Sequence, residues 1–382
     1  MQKSRFNVVT DGQWGSCGKG AITTALAYKF RPAVLSTTNM ANAGHTAVFF
    51  DGQSFIAKVL PSATALAKWT GANLSPPADL SYSPQVVIGP SAAFDIEQLQ
   101  KEIEHCGLEP GKLMIHPRAG VISKDHKEKE NDDKNGTKHI ASTMQGCGAF
   151  LADKVMRRPD LKLARDYEEL KQYVPQTPLW SLPMWVNQCL KSGATILHEG
   201  SQGFSLDINH GSHYPQCTSR STTALQNMVD MGVNAAELGD IYLVIRPYPI
   251  RVGNVVENGE IKGYSGDCYD DHQEISWEQV ASQAGAPAHV MQGELTTVTK
   301  RLRRVFTFSK RQLVEAVVTN GATKIALNFA NYIDWSCFGV NEYDRLPQKV
   351  KEFISKIEDL VQIPVSIVGT GPAINHCVFM GQ

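Results

Sequence analysis

A glycine-rich segment near the N-terminus constrains the possible folds of this chain most strongly. The apolar run Phe6–Thr10 predicts a β-strand, four glycines fall between Gly12 and Gly20, and Ala21–Phe30 consists of good helix formers. Glycines in such a loop let backbone N–H groups converge on an anion, and the following helix adds its positive N-terminus. Lys19 can meet phosphate charge. The segment therefore predicts a phosphate-binding loop, with a tight structural turn as the alternative.

The spacing of these glycines differs from that of a Walker A loop. Counting back from Gly18 and Lys19, the first glycine of that motif would fall at Gln13, and Gly20 replaces its Mg²⁺-binding serine or threonine. The prediction of a phosphate site therefore depends on the order of strand, glycine-rich loop and helix.

Short apolar strands and amphipathic helices alternate along the rest of the chain. The stretch Asp95–Cys106 carries its apolar residues on one face and is followed by Gly107, which can cap a helix. This alternation predicts an α/β fold with a mostly parallel central sheet and helices on both faces. No repeat or linker is evident, so residues 1–382 are predicted to form a single domain. The other predicted elements are the strands Pro32–Leu35, Val86–Gly89, Thr195–Leu197, Ile241–Ile245, Lys324–Phe329 and Pro364–Val368 and the helix Lys349–Val361.

The composition argues against several classes of protein. A formal net charge of −1 disfavours a non-specific nucleic-acid-binding protein, which needs a basic surface for phosphate contacts. No apolar run approaches the roughly 18 residues that a membrane span requires, so no membrane partner is expected. The eight cysteines are spread over the chain without a C-x-x-C pair, which is typical of reduced thiols in the cytoplasm.

Residues 125–138 form a run of mixed charge. The simplest interpretation of such a run is a solvated, mobile loop. The alternative interpretation is a flap that becomes ordered over a bound ligand.

Motifs in the same order over nearly the whole chain resemble those of the adenylosuccinate synthetase family. The segment Gln13–Gly20 matches the family signature Gln-Trp-Gly-Asp-Glu-Gly-Lys-Gly at six of eight positions, and the family sequence Asn-Ala-Gly-His-Thr stands intact at Asn42–Thr46. The resemblance implies the adenylosuccinate-synthetase-like fold, which is related to that of P-loop proteins. Further matching segments are Asp153–Arg158, Glu199–Gly203, Leu206–Ile208, Thr299–Arg304 and Thr370–Pro372.

The family reaction that this resemblance implies has two steps and uses Mg²⁺. The 6-oxygen of a purine monophosphate takes the γ-phosphoryl group of a nucleoside triphosphate, and the amine of aspartate then displaces that phosphate. By resemblance His45 is the general acid, a role that suits histidine because its side chain titrates near neutrality. Gln202 would hydrogen-bond the purine 6-oxygen as negative charge develops there. Arg157 would reach the monophosphate site of a partner subunit, which implies a homodimer.

The resemblance assigns the remaining site residues position by position. The catalytic set is Ser16, Lys19, His45 and Gln202. The triphosphate-binding set is Gln13, Gly15, Gly18, Lys19, Gly20, Gly44, His45, Thr46, Asn328, Gly369 and Gly371. The monophosphate-binding set is Ser16, Asn42, Thr143, Arg157, Gln202, Thr218, Val252 and Gly253. The aspartate-binding set is Val298, Thr299, Arg301 and Arg303, and the Mg²⁺-binding set is Ser16 and Gly44.

Ser16 stands where the family has an aspartate that takes the N1 proton of hypoxanthine and helps to hold Mg²⁺. Serine has no charge and is a poor base at neutral pH. Three interpretations remain open: a catalytically silent nucleotide-binding paralogue, ordinary chemistry on IMP with a replacement base, and adaptation to another purine. The third resembles a virus-encoded branch of the family, the 2-aminoadenylosuccinate synthetases, which act on dGMP and carry a small residue here. Serine frees volume beside the amino group at C2 of guanine.

The segment Leu327–Ala330 departs from the family pattern in the triphosphate site. The family reads the guanine of GTP with a Lys-x-Asp pair, and this chain has Asn328 and Ala330 at those positions. Without that carboxylate a GTP-selective pocket is not expected, and ATP or dATP is predicted as the phosphoryl donor. Asn328 could still pair with a base edge.

The sequence therefore predicts a ligase that joins L-aspartate to the purine 6-position of dGMP with ATP or dATP and Mg²⁺, towards diaminopurine nucleotides. It is expected to be a homodimer in the cytoplasm, or in the host cytoplasm if it is virus-encoded. The alternatives are an adenylosuccinate synthetase that acts on IMP and a silent nucleotide-binding paralogue.

Overall fold

The computed structural model describes residues 5–69, 82–132, 136–175, 181–287, 289–296 and 300–381. Two residues assigned to aspartate binding, Val298 and Thr299, lie outside the described residues. No helix in the described ranges is long and apolar enough to cross a membrane.

Strands and helices alternate over most of the chain. The strands found in the described ranges are β1 (Phe6–Asp11), β2 (Val34–Thr37), β3 (His45–Val48), β4 (Ser54–Ala57), β5 (Gln85–Ile88), β6 (Ala93–Phe94), β7 (Leu113–Ile115), β8 (Gly120–Val121), β9 (Ile196–Glu199), β10 (Leu238–Ile245), β11 (Ile250–Arg251), β12 (Val255–Glu257), β13 (Glu260–Gly263), β14 (Glu274–Ile275), β15 (Arg304–Phe306), β16 (Lys324–Leu327), β17 (Val365–Gly369) and β18 (Cys377–Phe379). The α-helices are α1 (Lys19–Phe30), α2 (Leu66–Trp69), α3 (Ile96–Cys106), α4 (Lys124–Asn131), α5 (Cys147–Val155), α6 (Ser181–Lys191), α7 (Ala224–Asp230), α8 (Trp277–Ala284), α9 (Lys310–Asn320) and α10 (Gln348–Val361).

The central sheet has the strand order β18-β17-β16-β10-β1-β9-β2-β5-β7. Each neighbouring pair in this order is parallel except β17 and β18. All seven strands predicted for the parallel sheet, from β1 to β17, lie within it. The prediction of an α/β fold with a mostly parallel central sheet is therefore confirmed.

Apolar side chains cover both faces of this sheet. In β1, Val8 belongs to one core cluster and Val9 to the other, because successive side chains of a strand point to opposite faces. The cluster that contains Val9 includes residues of α1 and α3. The cluster that contains Val8 includes residues of α6, α7, α9 and α10. The prediction of helices on both faces is confirmed by these two clusters.

The two edge strands of the sheet were not predicted. β7 and β18 have three residues each, which is too short for a run of apolar residues to distinguish a strand from a loop. β18 lies antiparallel to β17 and follows it after a short connection that contains the Thr370–Pro372 segment. The edge strands therefore depend on neighbours in the sheet more than on their own sequence.

The first half of the charge-rich run 125–138 is helical. α4 covers its first half and begins with a reciprocal capping box. Glu130 on this helix is 6% exposed and accepts two hydrogen bonds from backbone N–H groups at the start of α5 (2.7 and 2.6 Å). The interpretation of the run as a mobile loop is wrong for this half, because the charged face of a capped helix produces the same composition. Residues 133–135 lie outside the described residues, and the flap remains a prediction.

Asp11, the last residue of β1, organises the loop that follows it. Its buried carboxylate accepts hydrogen bonds from the backbone N–H groups of Gln13 (2.8 Å), Gly15 (3.1 Å) and Cys17 (2.8 Å). The carboxylate also lies 3.4 Å from the Nζ atom of Lys19. One side chain therefore fixes both the path of the loop and the position of the positive charge at the start of α1.

Two glycines of the loop are required by its geometry. Gly18 caps the N-terminus of α1 in the left-handed region (φ 81°), where a side chain would be strained. A Cβ atom at Gly20 would lie 2.8 Å from the backbone oxygen of Thr46. The start of α1 can therefore approach β3 only because neither position carries a side chain.

We expect Asp11→Asn to destabilise the protein, because an amide would place a donor against backbone N–H groups and remove the counter-charge of Lys19. Loss of one partner of a buried ion pair costs about 3–5 kcal/mol. Thermal unfolding of the variant and the wild type measures the change. Asp51→Asn is the matched control, since Asp51 accepts one exposed backbone hydrogen bond, from Gln53 (3.0 Å), and its loss should cost about 1 kcal/mol or less. Equal stability of the two variants would contradict the role given to Asp11.

Candidate active site

A cavity of about 470 Å³, the first cavity, lies between the N-terminal end of α1 and the residues that follow β16 and β17. Most residues assigned to the triphosphate line it, as do both residues assigned to Mg²⁺ and one arginine assigned to aspartate. They are Gly15, Ser16, Gly18, Lys19, Gly20, Gly44, His45, Thr46, Arg303, Asn328 and Gly371.

A neighbouring cavity of about 380 Å³, the second cavity, is lined mostly by loop residues from positions 137–148 and 214–219. Five residues assigned to the purine monophosphate line it: Asn42, Thr143, Gln202, Thr218 and Val252. Residues far apart in sequence are thus brought together in the grouping that the family resemblance implies.

Lys19 and Gln202 connect the two cavities. The Nζ atom of Lys19, which lines the first cavity, donates a hydrogen bond to the backbone oxygen of Gln202 (2.7 Å), which lines the second. The same Nζ atom donates to the backbone oxygen of Gly15 (3.2 Å), and Lys19 is only 2% exposed. The two cavities therefore adjoin at the glycine-rich loop.

Five assigned residues in the described ranges line neither cavity. Three of them serve the surrounding structure: Gln13 exchanges two hydrogen bonds with the backbone of Arg246 (both 3.1 Å), Gly369 packs against the side chain of Asn328, and Gly253 packs against the backbone of Leu302. A Cβ atom at Gly253 would lie 2.1 Å from the backbone oxygen of Leu302. Gln13 and these glycines therefore support the walls of the site without facing the space inside.

Of the two arginines assigned to aspartate, one lies at the first cavity and the other beside the second. Arg303 lines the first cavity. Arg301 donates hydrogen bonds from Nη2 to the backbone oxygens of Ala141 (2.8 Å) and Ser142 (3.2 Å), and both of these residues line the second cavity. Arg157 follows the end of α5, is exposed, and lines neither cavity of its own chain.

The oxygen donors of the first cavity fit Mg²⁺. No group of three or more His, Cys, Asp or Glu side chains that could hold a metal is found within the described ranges. Ser16 and Gly44 line the first cavity and offer a hydroxyl and a backbone carbonyl. Mg²⁺ prefers oxygen ligands and is usually bound through a few protein oxygens, water and the phosphates of the substrate. These two residues therefore suit an ion that is held mainly by a triphosphate.

His45 begins β3 and faces Glu199 at the end of β9. The Nδ1 atom of His45 lies 2.7 Å from Oε1 of Glu199, and the side chains are 7% and 0% exposed. The other carboxylate oxygen accepts hydrogen bonds from the backbone N–H (2.6 Å) and the hydroxyl (2.9 Å) of Ser62. A carboxylate held in this way orients the imidazole through one ring nitrogen. The Nε2 atom of His45 is then the one that can act on a ligand in the first cavity.

The charge of Glu199 is maintained although the residue is buried. Burial by itself raises the pKa of this carboxyl, but the neighbouring His45 and the hydrogen bonds from Ser62 outweigh burial and hold the pKa below its usual range. Glu199 is therefore ionised at neutral pH. Its negative charge and its position next to Nδ1 together orient the imidazole of His45.

Arg246 is a buried residue that hydrogen-bonds the backbone of the glycine-rich loop. Its Nη1 atom donates hydrogen bonds to the backbone oxygen of Ser16 (3.0 Å) and to Oε2 of Glu294 (3.1 Å), and Arg246 itself is fully buried. Its guanidinium lies 4.0 Å from the ring centroid of Phe329. The hydroxyl of Tyr332 donates to Glu294 (3.0 Å). The positive charge is therefore neutralised within the wall of the first cavity.

Four charged residues that shape the site were not predicted to have a role: Asp11, Glu199, Arg246 and Glu294. The first two end β1 and β9, and Arg246 follows β10. Polar residues at the carboxyl ends of parallel strands meet at one edge of the sheet, where ligands of α/β proteins bind. This pattern could have identified three of the four, whereas Glu294 lies in a loop and carries no such indication.

Cys17, which replaces a family glutamate, is a packing residue in this structure. It is 1% exposed, and its thiol donates to the side-chain oxygen of Gln13 at 2.9 Å. Burial, together with the nearby charge of Asp11, raises the pKa of the Cys17 thiol well above its usual range. The thiol is therefore neutral and forms part of the wall beneath the loop.

Over most of its length this chain is similar to known proteins of one family. The sequence model of the family described as adenylosuccinate synthetase matches residues 8–173 and 160–336. The adenylosuccinate synthetase of Methanocaldococcus jannaschii is 32% identical over 97% of this chain and 95% of its own length. That of Thermococcus onnurineus is 32% identical over 97% of each chain.

Two solved structures are similar over essentially the whole chain. The succinoaminodeoxyadenylate synthetase PurZ of cyanophage S-2L, bound to dGMP and to dATP as an energy donor, has a TM-score of 0.79 and 30% identity, covering 100% of this chain and 97% of its own. The fully ligated adenylosuccinate synthetase of Plasmodium falciparum has a TM-score of 0.78 at 18% identity, covering 99% and 100%. The predicted adenylosuccinate-synthetase-like fold is confirmed by these structures.

We expect Glu199→Gln to lower kcat by about tenfold or more, because His45 loses the charge that orients it for proton transfer. Because the pKa of Glu199 is lowered in the folded protein, its carboxylate contributes stability above the unfolded pKa of about 4.3. That contribution is lost as the pH falls through the folded pKa. The variant should therefore be less stable than the wild type at pH 7 by about 1–3 kcal/mol, and the difference should narrow in acid.

Glu102→Gln is the matched control for this experiment. Glu102 is a buried carboxylate that accepts backbone hydrogen bonds from Lys58 (2.8 Å) and Leu60 (2.9 Å) and lines neither cavity. We expect it to change thermal stability without a selective loss of kcat. Steady-state kinetics and thermal unfolding over a range of pH measure kcat and stability for both variants. Equal kcat values for the two would contradict the positioning role of Glu199.

Proposed function

The chain belongs to the adenylosuccinate synthetase family, and on that premise we propose that it joins L-aspartate to the 6-position of dGMP with ATP or dATP. Enzymes of this family are ligases that join aspartate to a purine nucleotide with hydrolysis of a nucleoside triphosphate, and they use Mg²⁺. The product would be the N6-succinyl 2-aminoadenine deoxynucleotide, a precursor of diaminopurine nucleotides.

The observation that carries the proposal is a serine in place of a carboxylate at the junction of the two cavities. Ser16 lines the first cavity, and the adjacent Gly15 packs against Gln202 of the second, since a Cβ atom at Gly15 would lie 3.3 Å from the backbone of Gln202. An aspartate here would crowd a purine that carries an amino group at C2, whereas serine leaves space and can still hydrogen-bond. The substitution therefore favours guanine over hypoxanthine.

The two cavities suit the two nucleotides of the reaction. The monophosphate would occupy the second cavity, with its phosphate near Asn42, Thr143 and Thr218. The triphosphate would occupy the first cavity, where the backbone N–H groups of the glycine-rich loop and the N-terminus of α1 stabilise anions. The purine 6-oxygen then lies where the cavities adjoin, within reach of Gln202.

The chemistry on the chain's own residues follows from this arrangement. The bond between the β- and γ-phosphates breaks as the γ-phosphoryl group bonds to the purine 6-oxygen, and His45 gives a proton to the departing diphosphate. Guanine loses its N1 proton in the same step, to water beside Ser16 or to the incoming aspartate. Gln202 and Lys19 stabilise the negative charge that develops between the two nucleotides. The amine of aspartate, with its carboxylates near Arg301 and Arg303, then attacks C6 and releases phosphate. Mg²⁺, which Ser16 and Gly44 would help to hold, screens the charge of the triphosphate.

An adenine nucleotide is the proposed donor for a physical reason. Ala330 replaces the family carboxylate that holds guanine and is fully buried. Asn328 uses its amide within the chain, donating from Nδ2 to Cys17 O (3.1 Å) and accepting from the N–H of Phe329 at Oδ1 (2.9 Å). Neither position offers a carboxylate to guanine. The phage enzyme that shares this fold was solved with dATP as its energy donor.

Homodimer formation would complete the monophosphate site. Arg157 lines neither cavity of its own chain, and the two residues before it, Val155 and Met156, are 75% and 67% exposed. Exposed apolar side chains of this kind are typical of a surface that a partner covers. Association of two copies would bury them and carry Arg157 to the partner's second cavity.

A second candidate substrate is IMP. The archaeal relatives at 32% identity over nearly the full length carry the name adenylosuccinate synthetase, and that activity uses hypoxanthine. With IMP, as with dGMP, a group other than the family aspartate must take the N1 proton, since both purines carry N1–H.

Phosphate release in the presence of aspartate, Mg²⁺ and ATP distinguishes these candidates. We expect turnover with dGMP at least about tenfold above that with IMP, since acceptance or exclusion of one exocyclic group at a fitted site changes kcat/KM by this order. Turnover of GMP, measured in parallel, shows whether the protein distinguishes ribose from deoxyribose. Turnover with IMP and none with dGMP would establish the second candidate, and binding of both nucleotides without turnover would indicate a silent paralogue.

We expect Ser16→Asp to shift the ratio of kcat/KM for IMP over dGMP upward by at least about tenfold, because the larger carboxylate crowds the amino group that guanine carries at C2 and hypoxanthine lacks. Ser16→Ala is the matched control, since it removes the hydroxyl without adding charge or volume, and its ratio should remain close to that of the wild type. An unchanged ratio in Ser16→Asp would mean that this position does not determine the purine.

A further inference from the structure

A carboxylate lies in the wall of the second cavity. Glu130 on α4 lines this cavity and is 6% exposed. It accepts hydrogen bonds from the backbone N–H groups of Gly146 (2.7 Å) and Gly148 (2.6 Å) at the start of α5. A negative charge is favourable there, because the first N–H groups of a helix have no partner within the helix. This cap stabilises α5, and it also leaves a negative charge beside the space that a monophosphate would occupy.

The carboxylate of Glu130 lies close to residues assigned to the phosphate of that nucleotide. A Cβ atom at Gly148 would lie 3.2 Å from Oε1 of Glu130 and 3.6 Å from Cβ of Ser219. Ser219 directly follows Thr218, and both residues line the second cavity. The carboxylate and the segment that carries Thr218 therefore meet at the same glycine.

Cys147 relates the same charge to Asn42. It stands between the two glycines that Glu130 binds, and it lines the second cavity. Burial and the nearby charge of Glu130 raise the pKa of the Cys147 thiol to about 12, although a hydrogen bond from the backbone N–H of Asn42 opposes the rise. Glu130 is therefore near enough to act electrostatically on groups at the phosphate end of the cavity.

Little positive charge is available at this end of the cavity to balance Glu130. The side chains of the same chain that are assigned to the phosphate are uncharged: Asn42, Thr143 and Thr218. Arg251 also lines the cavity, but its guanidinium donates to the backbone oxygens of Asp267 (2.7 Å) and Gln216 (3.2 Å). A further phosphate group on the nucleotide would therefore add negative charge near Glu130 without a counter-charge from Arg251.

We propose that Glu130 restricts the acceptor to a nucleoside monophosphate by repelling the additional phosphate groups of dGDP and dGTP. The proposal rests on the proposed function, since it assumes that dGMP occupies the second cavity. Like charges repel more strongly in a partly buried site than in water. The carboxylate also covers the N–H groups of Gly146 and Gly148, which would otherwise attract a phosphate.

The number of phosphate groups has to be recognised at this end of the cavity. The nucleotides dGMP, dGDP and dGTP carry the same base and the same sugar, so contacts with Ser16 and Gln202 cannot distinguish them. A group that lies beyond the first phosphate can do so. Glu130 is thus a specificity-determining residue that need not touch dGMP itself.

Equilibrium binding of dGMP and dGDP to the full-length protein tests the proposal. The non-hydrolysable ATP analogue adenylyl imidodiphosphate is present at saturation, so that the first cavity is occupied. We expect the wild type to bind dGMP at least about tenfold more tightly than dGDP, and Glu130→Gln to reduce this ratio by about tenfold, because the amide keeps the shape and removes the charge. A residue that served only to cap α5 would change both affinities alike.

Glu102→Gln is the matched control for this substitution. Glu102 is a buried carboxylate that also accepts backbone hydrogen bonds, and it lines neither cavity. Its variant should keep the wild-type ratio of affinities.

Ser219→Lys tests the same charge while leaving the cap of α5 in place. The variant retains Glu130 and adds a cation beside it, so it should also reduce the preference for dGMP over dGDP by about tenfold. Thermal unfolding shows whether each variant is folded, and Ser219→Lys decides the question if Glu130→Gln is not.

Turnover of dGMP with ATP and aspartate, measured in parallel, separates this inference from the proposed function. If dGMP is turned over but the wild type binds dGDP as tightly, or the ratio is unchanged in the folded variants, the inference is overturned and the ligase activity stands. If dGMP binds without turnover, the proposed reaction fails and the ratios still decide the role of Glu130. Failure of dGMP to bind beside the ATP analogue would overturn both.

Discussion

The carboxylate of Asp11 is the contact on which both cavities depend. It accepts hydrogen bonds from three backbone N–H groups of the glycine-rich loop and lies beside Lys19, so the loop is held in a tight curve at the start of α1. Lys19 in turn bonds to the backbone of Gln202 and thereby joins the loop to the wall of the second cavity. A buried negative charge at the end of β1 thus fixes the segment that borders both cavities.

The site contains two kinds of residue: those that line the cavities, and those that hold the lining residues in place. His45, Gln202 and Lys19 face the cavities, whereas Glu199, Asp11 and the buried Arg246 fix the parts of the wall behind them. Because the supporting charges are paired with each other or with backbone groups, their energetic cost of burial is offset within the protein. Ser16 and Cys17 both depart from the family signature in this loop, and the backbone of each is still held, by Arg246 and Asp11 respectively.

The fold was largely predictable because most of its parallel strands are short, mainly apolar stretches. β10 contains five consecutive apolar residues, and β1 and β17 are apolar stretches interrupted by Asn7 and Ser366, whereas the three-residue edge strands β7 and β18 were too short to be found. The grouping of the assigned residues around two cavities followed the family resemblance. The pairing of His45 with Glu199 could not be predicted, because it depends on the three-dimensional packing of segments far apart in the chain.

The position of β1 in the middle of the sheet has a consequence for biosynthesis. β1 pairs with β9 and β10, and its neighbours in the sheet are therefore made about two hundred residues later than β1 itself. At translation rates of about 5–20 residues per second, the N-terminal strand waits on the order of ten seconds or more before it can be paired. During that time the apolar strand and α1 are available to chaperones, and the glycine-rich loop cannot assemble until residue 246 has left the ribosome.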